Sequence, residues 1–513
     1  MDYILKCQEC GKAFFTLEEK QYYIQRGLYY PKVCPSCTKK HERLLEEISK
    51  RWKLDAMQES SAYFYNIHEA TEILEGEKCF VIGRKGAGKS AIVGYVDNLS
   101  DPKIFKRKMS FKNFPFNLLY QLSNEKFTVP NQYITIWKFI IYSTVCKLII
   151  KNENIDFEFR KKLEVVYGGD PNRSLEKLIE RWTTKEFSLQ VLGTGFGING
   201  DKTKQNEMLW SDKTDMLEEL LLEYLDDSKY YILFDELDED YRVFSTQEEK
   251  TQYIYLLTGL LKAVQNIRSI FKDSKNLFPV VFLRNDIFSL VRDPDKNKWS
   301  DFIIELEWNP VKIKNMLAHR LGIAYEQDKE SFDELWHLLF QNSQVYMGHD
   351  RSRKMDAFTY ISRSTQMRPR DFIKYMQECA TIALVRRKDS ITPGIIKEAD
   401  DAFSEYLKGE IIDEIHVEMP EINDVLAIFS QIRKQTFNPS EFTSAYNEFV
   451  SKGKLTNRGA ENVLIMLFDV NVIGNQPTMK GKTIFKYENK SARFNYKENI
   501  MIHRGLFKAL QIF

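Results

Sequence analysis

One octet limits what this chain can fold into. Gly83-Arg84-Lys85-Gly86-Ala87-Gly88-Lys89-Ser90 fits G-x-x-x-x-G-K-[ST], with the apolar run Cys79–Ile82 before it and a helix-like stretch from Ser90 and Ala91 onward. Strand, glycine-rich loop and helix in that order are the setting in which such a loop binds phosphate. The glycines let successive backbone N–H groups turn toward phosphate oxygens. Lys89 adds a point charge at the β- and γ-phosphates, and the Ser90 hydroxyl can take a place on Mg2+. The helix offers its positive end to the same anion. A glycine turn that binds nothing is the competing reading, and context and pattern together argue against it.

A phosphate loop needs an acidic partner strand, and Lys229–Asp240 supplies one: Lys-Tyr-Tyr-Ile-Leu-Phe-Asp-Glu-Leu-Asp-Glu-Asp. Asp235, at the carboxyl end, is expected to hold Mg2+ and Glu236 to polarise the attacking water. Asp238, Glu239 and Asp240 read by default as a solvated acidic loop. A second buried strand, Leu277–Leu283, ends in Arg284-Asn285-Asp286. Beside the first it would bring Arg284 or Asn285 to the γ-phosphate, with Asp286 orienting Arg284; ordinary residues of a strand-to-helix turn fit equally well. Phe302–Trp308 alternates as a last strand.

The seven cysteines include Cys7-x2-Cys10 and Cys34-x2-Cys37, 23 residues apart. Each knuckle sets two thiolates on one side of a tight turn, and two knuckles make a closed, structural four-cysteine zinc site. Reactive thiols or a redox pair are the other readings. The first 40 residues or so resemble a small zinc-ribbon family, whose role is docking or folding. So small a module takes its folding energy from the metal.

The remaining stretches organise around these sites. His41–Asp55 reads as a connecting helix on Leu44, Leu45, Ile48 and Trp52. Val96–Leu225 reads as mostly helical, with a glycine-dotted hairpin at Ser188–Asn199 and a polar loop at Lys202–Met208. Beyond Asn309 the pattern is helical and contains Arg368-Pro369-Arg370-Asp371, with Pro369 suited to a helix start. Arg370 would reach from this lid to the phosphates; a surface arginine is the alternative. From about Glu421 three helices and a hairpin (Thr483–Tyr487, Ala492–Tyr496) read as winged-helix-like. Lys480, Lys482, Lys486, Lys490, Arg493 and Lys497 gather near its wing, where they suit DNA phosphates. A protein contact, or a half-exposed strand, explains the same alternation.

Length allows roughly three domains. Net charge is +1 with 43% hydrophobic and 29% charged residues, so any nucleic-acid surface has to be local. Ile134–Ile150 is the nearest approach to a membrane span, but Lys138 and Lys147 interrupt it and make it a core helix. No signal region stands at the N-terminus, and the cysteine usage suits a reducing cytoplasm. No membrane partner is expected.

Gly83–Ser90, Tyr231–Asp238, Phe282–Phe288 and Arg368–Phe372 together resemble a P-loop ATPase of the additional-strand type, near the AAA+, STAND and KAP groups. A group of bacterial P-loop ATPases encoded in phage-defence islands is the closer resemblance, and it spans roughly residues 60–513. It implies an α/β fold with a mostly parallel sheet, divided as zinc ribbon (1–45), nucleotide core (46–310) with a helical insertion at about 100–225, helical lid (311–412) and winged-helix-like domain (413–513). It further implies ATP and Mg2+ held by Lys89, Ser90 and Asp235, hydrolysis through Glu236, and a lid that follows nucleotide state through Arg370. About 145 residues separate the two nucleotide motifs, which departs from ordinary AAA+ spacing and disfavours a hexameric unfoldase. The implied partners are further copies of the chain, with Arg284, Arg292 or Arg320 as an arginine given in trans, a separate effector, and double-stranded DNA. A switch sensing nucleic acid or a phage product and a nucleotide-bound scaffold or DNA-binding regulator stand side by side, and GTP stays open beside ATP.

Overall fold

A computed structural model describes residues 3–7, 11–26, 33–111, 116–120, 127–168, 177, 210–237, 246–272, 276–325, 331–340, 344–347, 352–477 and 483–512. They fall into two units, Asn66–Glu307 and a discontinuous one made of Met1–Tyr65 with Trp308–Phe513. Residues 46–65, assigned above to the nucleotide core, cluster in the discontinuous unit.

In Asn66–Glu307 five strands form one sheet: β1 Phe80–Gly83, β2 Ile104–Ser110, β3 Lys229–Asp235, β4 Leu277–Arg284 and β5 Ile303–Glu305. Their order is β2-β3-β4-β1-β5, and every neighbouring pair is parallel. A parallel sheet is covered on both faces, which is why β1 and β3 read as unbroken apolar runs. β4 lies between the loop-bearing β1 and the acid-bearing β3, so the sheet carries the additional strand. This is the α/β P-loop NTPase fold.

β2 is a strand inside Val96–Leu225, a stretch whose other described regular elements are helical. Ile104-Phe-Lys-Arg-Lys-Met-Ser110 puts three cations in a row, and Met109 is its one fully buried residue. A strand on the sheet edge needs few apolar positions and tolerates such charges, so its signal is weak. After it comes α1, counted here as Ile134–Ile149, buried almost all round and packed on α2, Trp210–Tyr224. Lys138, which breaks the apolar run, pairs with Glu218 of α2 at 2.6 Å, so the cation is matched inside the core. Ser188–Asn199, Lys202–Met208 and Asp238–Asp240 lie outside the described residues.

In the discontinuous unit, the helix Pro35–Lys50 is a core element rather than a connector. Leu44, Leu45 and Ile48, followed by Trp52, are at most 2% exposed and join the cluster built on the helix Pro369–Val385. Each such aliphatic burial contributes about 2 kcal/mol. Gln377 Nε2 donates to the Trp52 carbonyl at 2.7 Å and fixes the register. The stretch beyond Asn309 is helical, except that Gln344–Met347 and Arg353–Asp356 pair as an antiparallel hairpin the periodicity did not announce.

Three helices, Ile422–Ile432, Pro439–Ser451 and Ala460–Asp469, end the chain together with a three-stranded antiparallel sheet. The hairpin strands are not Thr483–Tyr487 and Ala492–Tyr496. They are Ile473–Gln476 and Asn499–Ile502, with Thr436–Phe437 beyond. The alternation at 492–497 arises because Ala492, Phe494 and Tyr496 pack inward from an irregular segment, leaving Arg493 and Lys497 exposed.

Candidate functional site

The loop follows β1 directly. Gly86 and Gly88 have φ of +80° and +102°, a region in which a Cβ is strained, so these two positions need glycine. A Cβ on Gly83 would stand 3.1 Å from Leu306 Cβ and 3.3 Å from Ala87 Cβ. Gly88 caps the helix Lys89–Asp97, which places Lys89 and Ser90 in the first turn. Lys89 Nζ donates to the carbonyls of Gly83 at 3.0 Å and Arg84 at 3.3 Å, so the ammonium lies over the loop it closes.

Asp235 ends β3 at 3% exposure. Burial raises its carboxyl above the usual carboxylate range; Lys108 and Lys89 pull it back, while Glu236 pushes the same way as burial. Lys108 Nζ stands 3.5 Å from Asp235 Oδ2, a buried oxygen without a hydrogen-bonding partner. Glu236 has φ +62°, an uncommon conformation for a residue with a side chain, and its carboxylate meets the Ser110 hydroxyl. Ser110 is opposite Asp235 in the β2–β3 register, and Lys108 is opposite Leu233.

Neither Lys108 nor Ser110 stands out in the sequence, because Ile104–Ser110 lies unmarked within a stretch that reads as mostly helical. A hard, anionic, buried Asp235 oxygen close to Lys89, with the Ser90 hydroxyl offered at the start of the loop helix, fits Mg2+.

β4 brings Arg284 abreast of Gly83. Arg284 is 5% exposed, and its Nε donates to Asp286 Oδ1 at 2.9 Å, the pairing expected of Asp286. Asn285 opens the short helix Asn285–Leu290. Of the three arginines considered for a neighbouring subunit, Arg320 is withdrawn. It is 4% exposed, bonded to Glu59 at 2.9 Å, and lies over the rings of Trp52 and Tyr63. Arg284 is likewise buried, whereas Arg292 is exposed. Arg370 belongs to the discontinuous unit, in the first turn of Pro369–Val385, 3.5 Å from Glu410. Its neighbour Arg368 is buried against Asp371.

In the same unit the Sγ atoms of Cys7, Cys34 and Cys37 lie within 4.8 Å of one another, all buried. Cys34 caps the helix Pro35–Lys50, and its amide points at Cys7 Sγ at 3.3 Å. Cys10 lies outside the described residues. Three converging thiols fit zinc: thiolates are its soft ligands, and an amide aimed at a sulfur stabilises the anion. Metal analysis of purified protein is expected to return about one zinc per chain, and Cys34→Ser to lose it. Zinc-free wild-type protein would rule the site out. Of the cations expected near a wing, Lys480 and Lys482 lie outside the described residues, and Lys486 is paired with Asp469.

Residues 311–412 match the family described as the FunZ-associated C-terminal helical domain. No curated protein matches the chain. Among solved structures it is similar to the ORC2 protein of Aeropyrum pernix in its ADPNP–ADP complexes, at 12% identity over 88% of this chain and 96% of that one, with a TM-score of 0.39. A Walker-type ATPase of Pyrococcus abyssi gives 11% identity, 87% and 95% coverage and a TM-score of 0.35. The A. pernix ORC1 protein in complex with DNA gives 11%, 94% and 93%, and 0.31. The fold assignment rests on the strand order and not on these scores. No helix among the described residues is long and apolar enough to cross a membrane.

Proposed function

We propose that the chain is an ATP-binding, ATP-hydrolysing switch that senses nucleic acid or a phage product and controls a separate effector. One observation supports the ATPase part: in a parallel sheet with β4 interposed, Lys89 of the phosphate loop is near enough to act on Asp235 at the end of β3, and Glu236 is the next residue. A protein that only binds nucleotide has no use for Glu236 beyond Asp235. Lys89 and the loop amides would hold the phosphates, Ser90 and Asp235 the Mg2+, and the Glu236 carboxylate would take the proton of the attacking water. Mg2+ would supply charge neutralisation between the β- and γ-phosphates. Arg284 or Asn285 would read the γ-phosphate from β4, and Arg370 would report nucleotide state to the lid. Exposed Arg292 is the arginine we assign to a neighbouring subunit. The antiviral setting rests on the motif resemblance and sits well with the FunZ-associated match. The wing cations Lys490, Arg493 and Lys497, exposed on the C-terminal domain that we read as winged-helix-like, would meet DNA phosphates.

A second reading, a nucleotide-bound scaffold with slow hydrolysis, has its own observation. Both acids are engaged by the protein itself, Asp235 by Lys108 and Glu236 by Ser110. ATP turnover with and without double-stranded DNA, with particle mass recorded, separates the two. Stimulation by DNA is expected of the switch. Negligible turnover throughout, with a stable nucleotide-bound assembly, would establish the scaffold.

A further inference from the structure

We propose that Lys108 is a built-in counter-cation for Asp235 and competes with the nucleotide's divalent cation for the same carboxylate oxygen. The inference rests on the nucleotide site as read above and adds to it a residue on the edge strand. Residues two apart on a strand share a face, so Lys108 and Ser110 both approach the acid pair from β2. Their targets differ: the Ser110 hydroxyl meets Glu236, while Lys108 Nζ stands 3.5 Å from Asp235 Oδ2. The Lys108 and Asp235 side chains are 18% and 4% exposed, so water screens the pair weakly.

A buried carboxylate needs a cation. Lys89, the other ammonium acting on Asp235, already donates to two loop carbonyls at 3.0 and 3.3 Å. Lys108 is therefore the cation placed on Oδ2. A divalent ion at that oxygen brings two further positive charges within a few ångströms of the ammonium, and like charges in a poorly screened place repel. The long, flexible lysine stem lets Nζ swing away, which a rigid guanidinium fork would do less readily. Divalent-ion binding thus carries the cost of displacing Lys108, and the site answers to Mg2+-nucleotide over a higher range of Mg2+ than its ligands alone would set.

The test is the coupling between Mg2+ and nucleotide, measured as the affinity for a fluorescent ADP analogue in excess Mg2+ divided by its affinity in excess chelator. Lys108→Met is expected to raise that ratio at least about five-fold over wild type, the low end of ordinary coupling between sites. Lys108→Gln, which keeps a polar side chain on the strand edge, is expected to do the same, and Lys108→Arg to leave the ratio near or below wild type. An unchanged or smaller ratio in both neutral variants, with wild type coupling normally, overturns the competition and leaves the nucleotide site standing. A wild-type protein that binds the analogue under neither condition overturns the nucleotide site itself.

Discussion

Lys89→Ala is expected to bind no nucleotide at the concentrations where wild type saturates. The ammonium sits over the loop on the Gly83 and Arg84 carbonyls, from which it can reach the β- and γ-phosphates. A hydrogen bond to a charged group is worth about 1.5–3 kcal/mol, so losing two weakens binding roughly 100- to 20,000-fold. Calorimetric titration with ATP measures this directly. The fold should survive, because Lys89 is half-buried in the first turn of a helix and outside the apolar core. A thermal melt close to wild type would confirm that the loss is one of binding. Retained affinity would mean that phosphate is held elsewhere.

Glu236→Gln should behave in the opposite way, binding ATP as wild type does while turning it over at least about 100-fold more slowly, since a general base contributes roughly 100- to 10,000-fold. The substitution keeps shape and length. The Ser110 hydroxyl can still donate to the amide oxygen, and the φ of +62° is no harder for glutamine than for glutamate. What is lost is the ability to take a proton. Single-turnover hydrolysis alongside equilibrium binding separates the two effects, and unchanged turnover would remove Glu236 from the chemistry.

The parts of the site legible in the sequence are those that chemistry ties to a local pattern. Gly83–Ser90 is contiguous, and β1, β3 and β4 are fully buried strands whose apolar runs stand out. A strand beside the one bearing Asp235 and ending in Arg284 followed from those runs, whereas the register of Arg284 with Gly83 is visible only in the fold. Lys108 and Ser110 were not legible, because an edge strand with three successive cations lacks the apolar alternation that separates strand from helix. Arg320 looked like any other arginine in a helical stretch. Only the fold places Glu59 and the Trp52 and Tyr63 rings around it, more than 250 residues away in sequence. The strands expected at Thr483–Tyr487 and Ala492–Tyr496 were misplaced for a related reason: a segment such as 492–497, which packs every second residue inward, imitates the period of a strand.

The discontinuity of the Met1–Tyr65 and Trp308–Phe513 unit has a consequence for how the protein is made. Leu44, Leu45, Ile48 and Trp52 leave the ribosome early, yet the helix they pack against, Pro369–Val385, is synthesised about 300 residues later. At 5–20 residues per second the opening segment waits roughly 15–60 seconds for its partner, while the whole of Asn66–Glu307 emerges and can fold in between. During that interval its apolar helix face has nothing of its own chain to cover it. A metal held by the cysteines at the start of that helix would give this segment some structure before its partner is made, and chaperone demand should concentrate on it.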